Sequence, residues 1–296
     1  TSATALVPEQ TGGVVRCPGI GDNGRGLAAL VALAEQLYCD DVWRLLRRPI
    51  ELVATVGEEG EGNLRGARYY FDARDKQNCA RAHAVLVLDG PGDANIVHHA
   101  VASLRLRVEL SGPGGHSWVD SMAPNPVHAA GEVIAAIARL HDALPAGVAM
   151  TVTRMGGGER LTAVAERAWF DVDMRALHDS AIRACRDQLE SIVRACDHRL
   201  QRVFTLLGAR PGSALSWNHP LVDAAARITE WCGASPVSAM ASTDANIPLS
   251  RGIPSIAIGA GGSGGGEHTL AEWYDNMNGP RGIARALGIV LAAAAD

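Results

Sequence analysis

ELVATVGEEGEG, residues 51–62, is the stretch on which the fold turns. A nearly continuous apolar run that stops at two acids in a glycine-rich loop predicts a buried strand over 51–59, with Glu58 and Glu59 at its end. AVLVLDG, residues 84–90, repeats the form, a buried strand ending in Asp89. Upstream, the glycine-rich turn Gly19–Gly26 runs into LAALVALAEQLY, residues 27–38, whose apolar residues recur at helical spacing. Alternating helices and apolar strands predict an α/β domain built on a mainly parallel sheet.

Near residue 100 the pattern changes. ASLRLRVELSG, residues 102–112, alternates apolar and polar side chains, as a strand with one solvated face does. A helix is expected at about 126–141, strands at about 148–156 and 167–175, a helix at about 179–197 and a strand at 201–207. That β-α-β-β-α-β order is the ferredoxin-like one. The α/β pattern then resumes with a helix at about 219–232, a strand at about 253–258, the glycine-rich loop 259–266 and a closing helix near 279–295. The organisation expected is therefore residues 1–100 and 210–296 as one α/β domain, with 101–209 inserted as a smaller α+β domain.

Composition narrows the function. A formal net charge of −5 without a basic cluster gives no electrostatic footprint for nucleic acid. No apolar run reaches the roughly 18 residues that cross a bilayer, and Thr1–Leu6 lacks the charged-then-apolar form of a signal peptide. The six cysteines, at 17, 39, 79, 185, 196 and 232, form no CxxC pair. Free thiols in a reducing cytoplasm are the simpler reading.

The chemistry-bearing residues fall at strand ends and in glycine-rich loops, where α/β enzymes place their sites. They are Asp22 in GIGDNGRG, the pair Glu58–Glu59, Asp89, and His268 in GGGEHTLAEW. Carboxylates with an imidazole suit Zn²⁺ and related divalent ions, and two adjacent acids invite one to bind metal and the other to move protons. Taken singly, each has a plainer role: a turn and helix cap at Asp22–Asn23–Gly24, a solvated loop at Glu58–Glu59, a turn before Gly-Pro at Asp89, a cap or core histidine at His268.

Taken together and in order, the blocks CPGIGDNGRGLAALVAL, TVGEEGEGNLRGAR, VLDG, SGPGGHSW, GGGERLTAVAERAWFDVDMR, STDANIPLSRGIPSIAIG and EHTLAEW resemble the M20 family of metallopeptidases and deacylases. The resemblance spans nearly the whole chain. It implies a zinc-hydrolase catalytic domain carrying an inserted lid and dimerisation domain, and hydrolysis of an amide bond in a short peptide or N-acyl amino acid. It implies two zinc ions per subunit, with Mn or Co as other possible ions. Asp22 would bridge them, Glu59 and His268 would complete one site and Asp89 would hold the other. Glu58 would be the general base. The peptide bond between Asp22 and Asn23 would be cis. In the inserted domain, His116 would stabilise the oxyanion, in this family usually in the partner subunit's site. Arg175 would face the substrate carboxylate, and Gly158 and Thr162 fall in a substrate-binding block. The partners implied are a second copy of the chain and the small substrate.

Two departures qualify the match. The family carries an HxD motif upstream of the bridging aspartate, whose histidine binds the second metal, whereas Thr1–Ile20 contains no histidine and His98-His99 lies after Asp89. The reading is of a fragment lacking that segment, in which the Asp89 site is the weaker. If the ligand is truly absent, the same fold would serve as a non-catalytic dimeric binding scaffold. Secondly, Thr162 stands where the family has Asn, and Val164-Ala165 where it has Ile-Pro. Threonine keeps a donor and an acceptor on a shorter side chain.

Overall fold

The computed structural model describes residues 6–39 and 42–295, without the side chains of Cys39 and Leu45. The Cys39 thiol and the Thr1–Ala5 start, both read above, lie outside that set. Two compact units emerge, one of residues 1–58, 64–100 and 214–296, the other of 59–63 and 101–213.

The first unit is built on a mixed sheet. Strand Ser255–Ile258 pairs in parallel with Val85–Leu88 and antiparallel with Asn95–Ala100, and Val237–Ala241 adds in parallel to Asn95–Ala100. Its apolar rows pack against helices Pro220–Trp231 and Gly279–Ala295, so Ile96, Ile256 and Ile258 share a core with Val222, Ala225 and Ile289. Helix Gly26–Cys39 contributes Leu33 to that core, and its first turn follows directly on the Asp22 loop. A second, antiparallel sheet joins Glu9–Thr11, Val14–Arg16, Trp273–Asp275 and Ser263–Gly265. This small sheet places the segment before Asp22 beside the one that follows His268.

One expected element differs. Residues 51–58 form no strand ladder, and Leu52, Val53 and Val56 are exposed. The apolar run has the composition of a buried strand, but among the described residues no strand pairs with it. It runs instead along helix Arg65–Lys76, where the Gly66 amide donates to the Val56 carbonyl at 2.9 Å and Glu51 takes hydrogen bonds from Tyr70 and Arg74. That helix, RGARYYFDARDK, carries too many charges for its apolar stripe to be read from sequence.

The second unit is a four-stranded antiparallel sheet in the order Gln201–Arg210, Ala102–Ser111, Arg167–Ala176, Val148–Gly157. In chain order this is fourth, first, third, second, the ferredoxin-like arrangement. Helices Pro126–Arg139 and Asp179–Ala195 cover one face and bury Val133, Ile137, Leu189 and Val193 against Val108, Leu110, Phe170 and Val172. Asn125 starts the first of these helices, its side chain accepting from the Val127 and His128 amides with Pro126 in the first turn. The opposite face carries charge. Asp171, 3 % exposed, accepts from Arg107 and Arg154, and the Arg107 guanidinium lies 4.0 Å from the centre of the Trp169 ring.

Candidate functional site

The Asp22 turn is held from several sides. Glu272, 2 % exposed, accepts the amide of Gly19 at 2.5 Å and those of Gly21 and Asp22 at 2.9 Å each. Burial works to raise the Glu272 carboxyl, but these amide donors, with a smaller electrostatic effect of His268, outweigh it and hold it below the usual carboxylate range. The Asp22–Asn23 peptide bond is cis. The Asn23 side chain donates to the Leu88 carbonyl at 2.8 Å and accepts from the amides of Gly26 at 3.1 Å and Gly90 at 3.2 Å. It thereby staples the Asp22 turn to the loop that carries Asp89. Gly26 must be glycine here, because a Cβ would stand 2.1 Å from the Asn23 Oδ1. Buried Arg25 donates to the carbonyls of Ala260 at 2.9 Å and Gly279 at 2.7 Å, fixing the other side of the turn.

Asp89 leaves the end of strand Val85–Leu88, its amide bonded to the Ile258 carbonyl at 2.9 Å. Asp22 and Asp89 line one pocket, together with Gly90, Pro91, Gly92, Gly262, Ser263, Gly264 and Glu267. The glycines let two loops approach: a Cβ on Gly259 would meet the Pro91 carbonyl oxygen at 2.3 Å. His268 adopts a left-handed backbone with φ of 63° and points its Nε2 to 3.6 Å from the Asp22 Oδ2.

Glu58 and Glu59 stand where the chain turns, between Gly57 and Gly60, both in the left-handed region. Glu59 caps the short turn Gly60–Gly62, and its carbonyl accepts the Gly62 amide at 2.7 Å. A zinc ion with ligand bonds of about 2.0–2.2 Å holds its ligand atoms roughly 3.3–4.4 Å apart. The 3.6 Å between the Asp22 carboxylate and the His268 imidazole falls in that range, so this pair fits a divalent ion. Asp89 stands on the wall of the same pocket as Asp22.

In the second unit, Gly115–His116 pairs with Ala163–Val164, and the Ser117 amide donates to the Thr162 carbonyl at 2.9 Å, so His116 and Thr162 sit on one hairpin. The His116 Nδ1 accepts the Trp118 amide at 3.1 Å, which leaves Nε2 as the outward nitrogen. Gly157, followed by Gly158, is opposite Ala168, whereas Arg175 is seven residues further along the same strand, about 23 Å at the usual rise per residue. Arg175 donates to Asp173 Oδ2 at 3.0 Å. Sequence reading missed Glu272, Arg25 and the staple made by Asn23. Their only sequence trace is one acid before the aromatic pair Trp273-Tyr274 and two polar residues inside a glycine run.

Comparison with known proteins identifies the family and the fold. The model of peptidase family M20/M25/M40 matches residues 4–292. A search of curated proteins returns no match. Among solved structures, the aminopeptidase PepT of Bacillus cereus superposes with a TM-score of 0.76 at 19% identity, over 100% of this chain and 78% of its own. A tripeptidase of Staphylococcus aureus gives 0.79 at 17%, over 100% and 78%. The YXEP protein of Bacillus subtilis, described as a dinuclear metal-binding peptidase of the M20 family, gives 0.65 at 18%, over 90% and 71%. At these identities the superpositions speak to the fold alone.

Proposed function

The chain belongs to peptidase family M20/M25/M40 and is a hydrolytic enzyme of the peptidase or aminoacylase type, and from that premise we propose that it cleaves the amide bond of a short peptide or N-acyl amino acid at a two-zinc site. The observation that carries this reading is the approach of the Asp22 carboxylate and the His268 imidazole to 3.6 Å beside the pocket wall that holds Asp89. Asp22, Glu59, His268 and Asp89 would hold the ions, with Asp22 shared and Glu59 and His268 grouped apart from Asp89. Bound divalent ions supply acidity to the attacking water and polarise the scissile carbonyl.

Glu58 takes a proton from the water as its oxygen bonds to the carbonyl carbon. When the C–N bond breaks, Glu58 returns that proton to the departing amine. His116 offers its outward nitrogen to the oxyanion, with its ring oriented by the Trp118 amide. Arg175 exchanges its Asp173 partner for the substrate carboxylate, and Gly158 and Thr162 line the path of the substrate backbone. A small substrate cannot span the distance between the Arg175 end and the His116 end of one sheet. This separation supports a homodimer through the inserted domain in which each site takes Arg175 from one subunit and His116 from its partner. Exposed Trp118, Val119 and Met122 provide apolar surface for it. The free thiols at Cys17, Cys79, Cys185, Cys196 and Cys232 suit a reducing cytoplasm, and among the described residues no helix is long and apolar enough to cross a membrane.

The test is a pair of substitutions assayed on metal-loaded protein against a panel of dipeptides, tripeptides and N-acyl amino acids. Glu58→Gln should lower turnover roughly 10²–10⁴-fold with metal content unchanged, and Glu59→Gln should lower both. Loss of metal from Glu58→Gln alone would reverse the two roles. Binding without turnover of every compound by the unsubstituted protein would favour a scaffold over an enzyme.

A further inference from the structure

The Glu272 carboxylate is bonded to backbone amides, and through them it organises the segment that presents Asp22. Its two oxygens take three amides, Gly19 at 2.5 Å, Gly21 at 2.9 Å and Asp22 at 2.9 Å. Its own carbonyl takes the Cys17 amide at 3.1 Å. One buried residue thus fixes four amides of residues 17–22. Glu272 also follows His268 by four residues, at the start of strand Trp273–Asp275, which pairs with Val14–Arg16. It therefore stands at the crossing of the two segments whose side chains, Asp22 and His268, approach to 3.6 Å. An ionised carboxylate is an acceptor at both oxygens. A carboxamide presents a donor on one side, and three converging amide donors cannot all be met by it. Gly21 leaves the space this requires, since a Cβ there would lie 3.2 Å from the Glu272 Oε1.

We propose that Glu272 is a positioning residue, whose acceptance of the Gly19, Gly21 and Asp22 amides sets the direction of the Asp22 carboxylate relative to His268 and thereby the affinity of the site for a divalent ion. The proposal rests on the metal-binding reading of Asp22 and His268. Outer residues that orient ligands typically change metal affinity 10–100-fold when replaced.

The experiment measures Zn²⁺ affinity by competition with a chromophoric chelator, together with the rise in melting temperature that Zn²⁺ gives, for the unsubstituted chain, Glu272→Gln, Gly21→Ala and Asp22→Asn. Glu272→Gln should keep its far-ultraviolet circular dichroism, bind Zn²⁺ 10–100-fold more weakly and show a smaller Zn²⁺-dependent rise. A role confined to fold stability would lower the metal-free melting temperature and leave the affinity below that temperature unchanged, and this result overturns the proposal. Should Glu272→Gln not fold, Gly21→Ala decides, because it crowds the same carboxylate while keeping it: at least a threefold loss of affinity supports the proposal, and an unchanged affinity overturns it. If Asp22→Asn binds Zn²⁺ as tightly as the unsubstituted chain, the metal reading fails and the proposal with it. If Asp22→Asn loses Zn²⁺ while Glu272→Gln does not, only the proposal fails.

Discussion

Replacing Arg285 by methionine should leave the first unit close to its original stability, although Arg285 is fully buried and hydrogen-bonded. Its Nε donates to the Thr229 hydroxyl at 2.7 Å and its Nη2 to the Asn95 carbonyl at 2.8 Å, tying helix Gly279–Ala295 to helix Pro220–Trp231 and to strand Asn95–Ala100. The remaining Nη1 has no hydrogen-bond partner. Burial, only partly offset by Asp93, brings the guanidinium down from 12.5 to about 10. At about 1.36 kcal/mol per tenfold change, the buried charge costs roughly 3 kcal/mol. Methionine removes that cost and fills similar space. Against it stand two hydrogen bonds from a charged donor, about 1.5–3 kcal/mol each at most, and the Asn95 carbonyl left without this donor. Thr229 keeps its own bond to the Ala225 carbonyl at 2.7 Å. The opposing effects nearly cancel, so Arg285→Met should lie within about 1.5 kcal/mol of the unsubstituted chain. Arg285→Ala, which also opens a void, should lose a further 2 kcal/mol or so. Because a two-unit chain is not expected to melt in one step, the measurement is native-state hydrogen exchange of amides in Gly279–Ala295 and Asn95–Ala100. The arginine is charged in folded and unfolded chains alike below about pH 10, so the difference should stay constant from neutral to mildly alkaline pH. A loss above about 3 kcal/mol for methionine, equal to that for alanine, would refute the balance drawn here.

Two further outcomes test other parts of the structure. The Asp171 carboxyl is held below its ordinary value of 3.8 first by the Arg107 hydrogen bond, with Arg154 adding to it against the effect of burial. A depressed folded value means stabilisation that is complete above the unfolded value and lost as pH falls through the folded one. Asp171→Asn should therefore melt lower than the unsubstituted chain at pH 6–8, with the gap closing below about pH 4; a gap that persists in acid would contradict this. Asn23→Ala removes three side-chain bonds to the Leu88, Gly26 and Gly90 backbone. A local loss of about 1–3 kcal/mol should appear as faster exchange of the Gly26 and Gly90 amides, and unchanged rates would show that the staple adds nothing.

The elements between residues 101 and 213 were legible because the strands alternate and the helices carry clean apolar stripes, so those expected fall within a few residues of those observed. In the first unit the pattern was less informative. NIVHHA, residues 95–100, is a central strand with two histidines in it, tolerated because the His98 ring bonds the Leu215 carbonyl at 2.7 Å and the Ser238 hydroxyl at 2.8 Å. No local signal announces partners so far along the chain. The same limit applies to the site. Asp22, Glu58, Glu59, Asp89 and His268 stand in glycine-rich turns or at a strand end, and position alone marked them for attention. Glu272 looks like any solvated acid until the Asp22 turn is folded against it. For Arg175, sequence gave a motif and no distance, and only the register of its strand places it at the far end from His116.

The exposed run Glu51–Val56 has a consequence for handling the protein. ELVATV has no proline or glycine, its one charge is engaged by Arg74 and Tyr70, and its apolar residues Leu52, Val53 and Val56 face outward. Among the described residues no ladder occupies its backbone. Short β-prone windows of this kind act as templates for strand addition. Preparations of these 296 residues should self-associate in a concentration-dependent way, and a charged substitution at Val53 should improve their solubility without touching the proposed site.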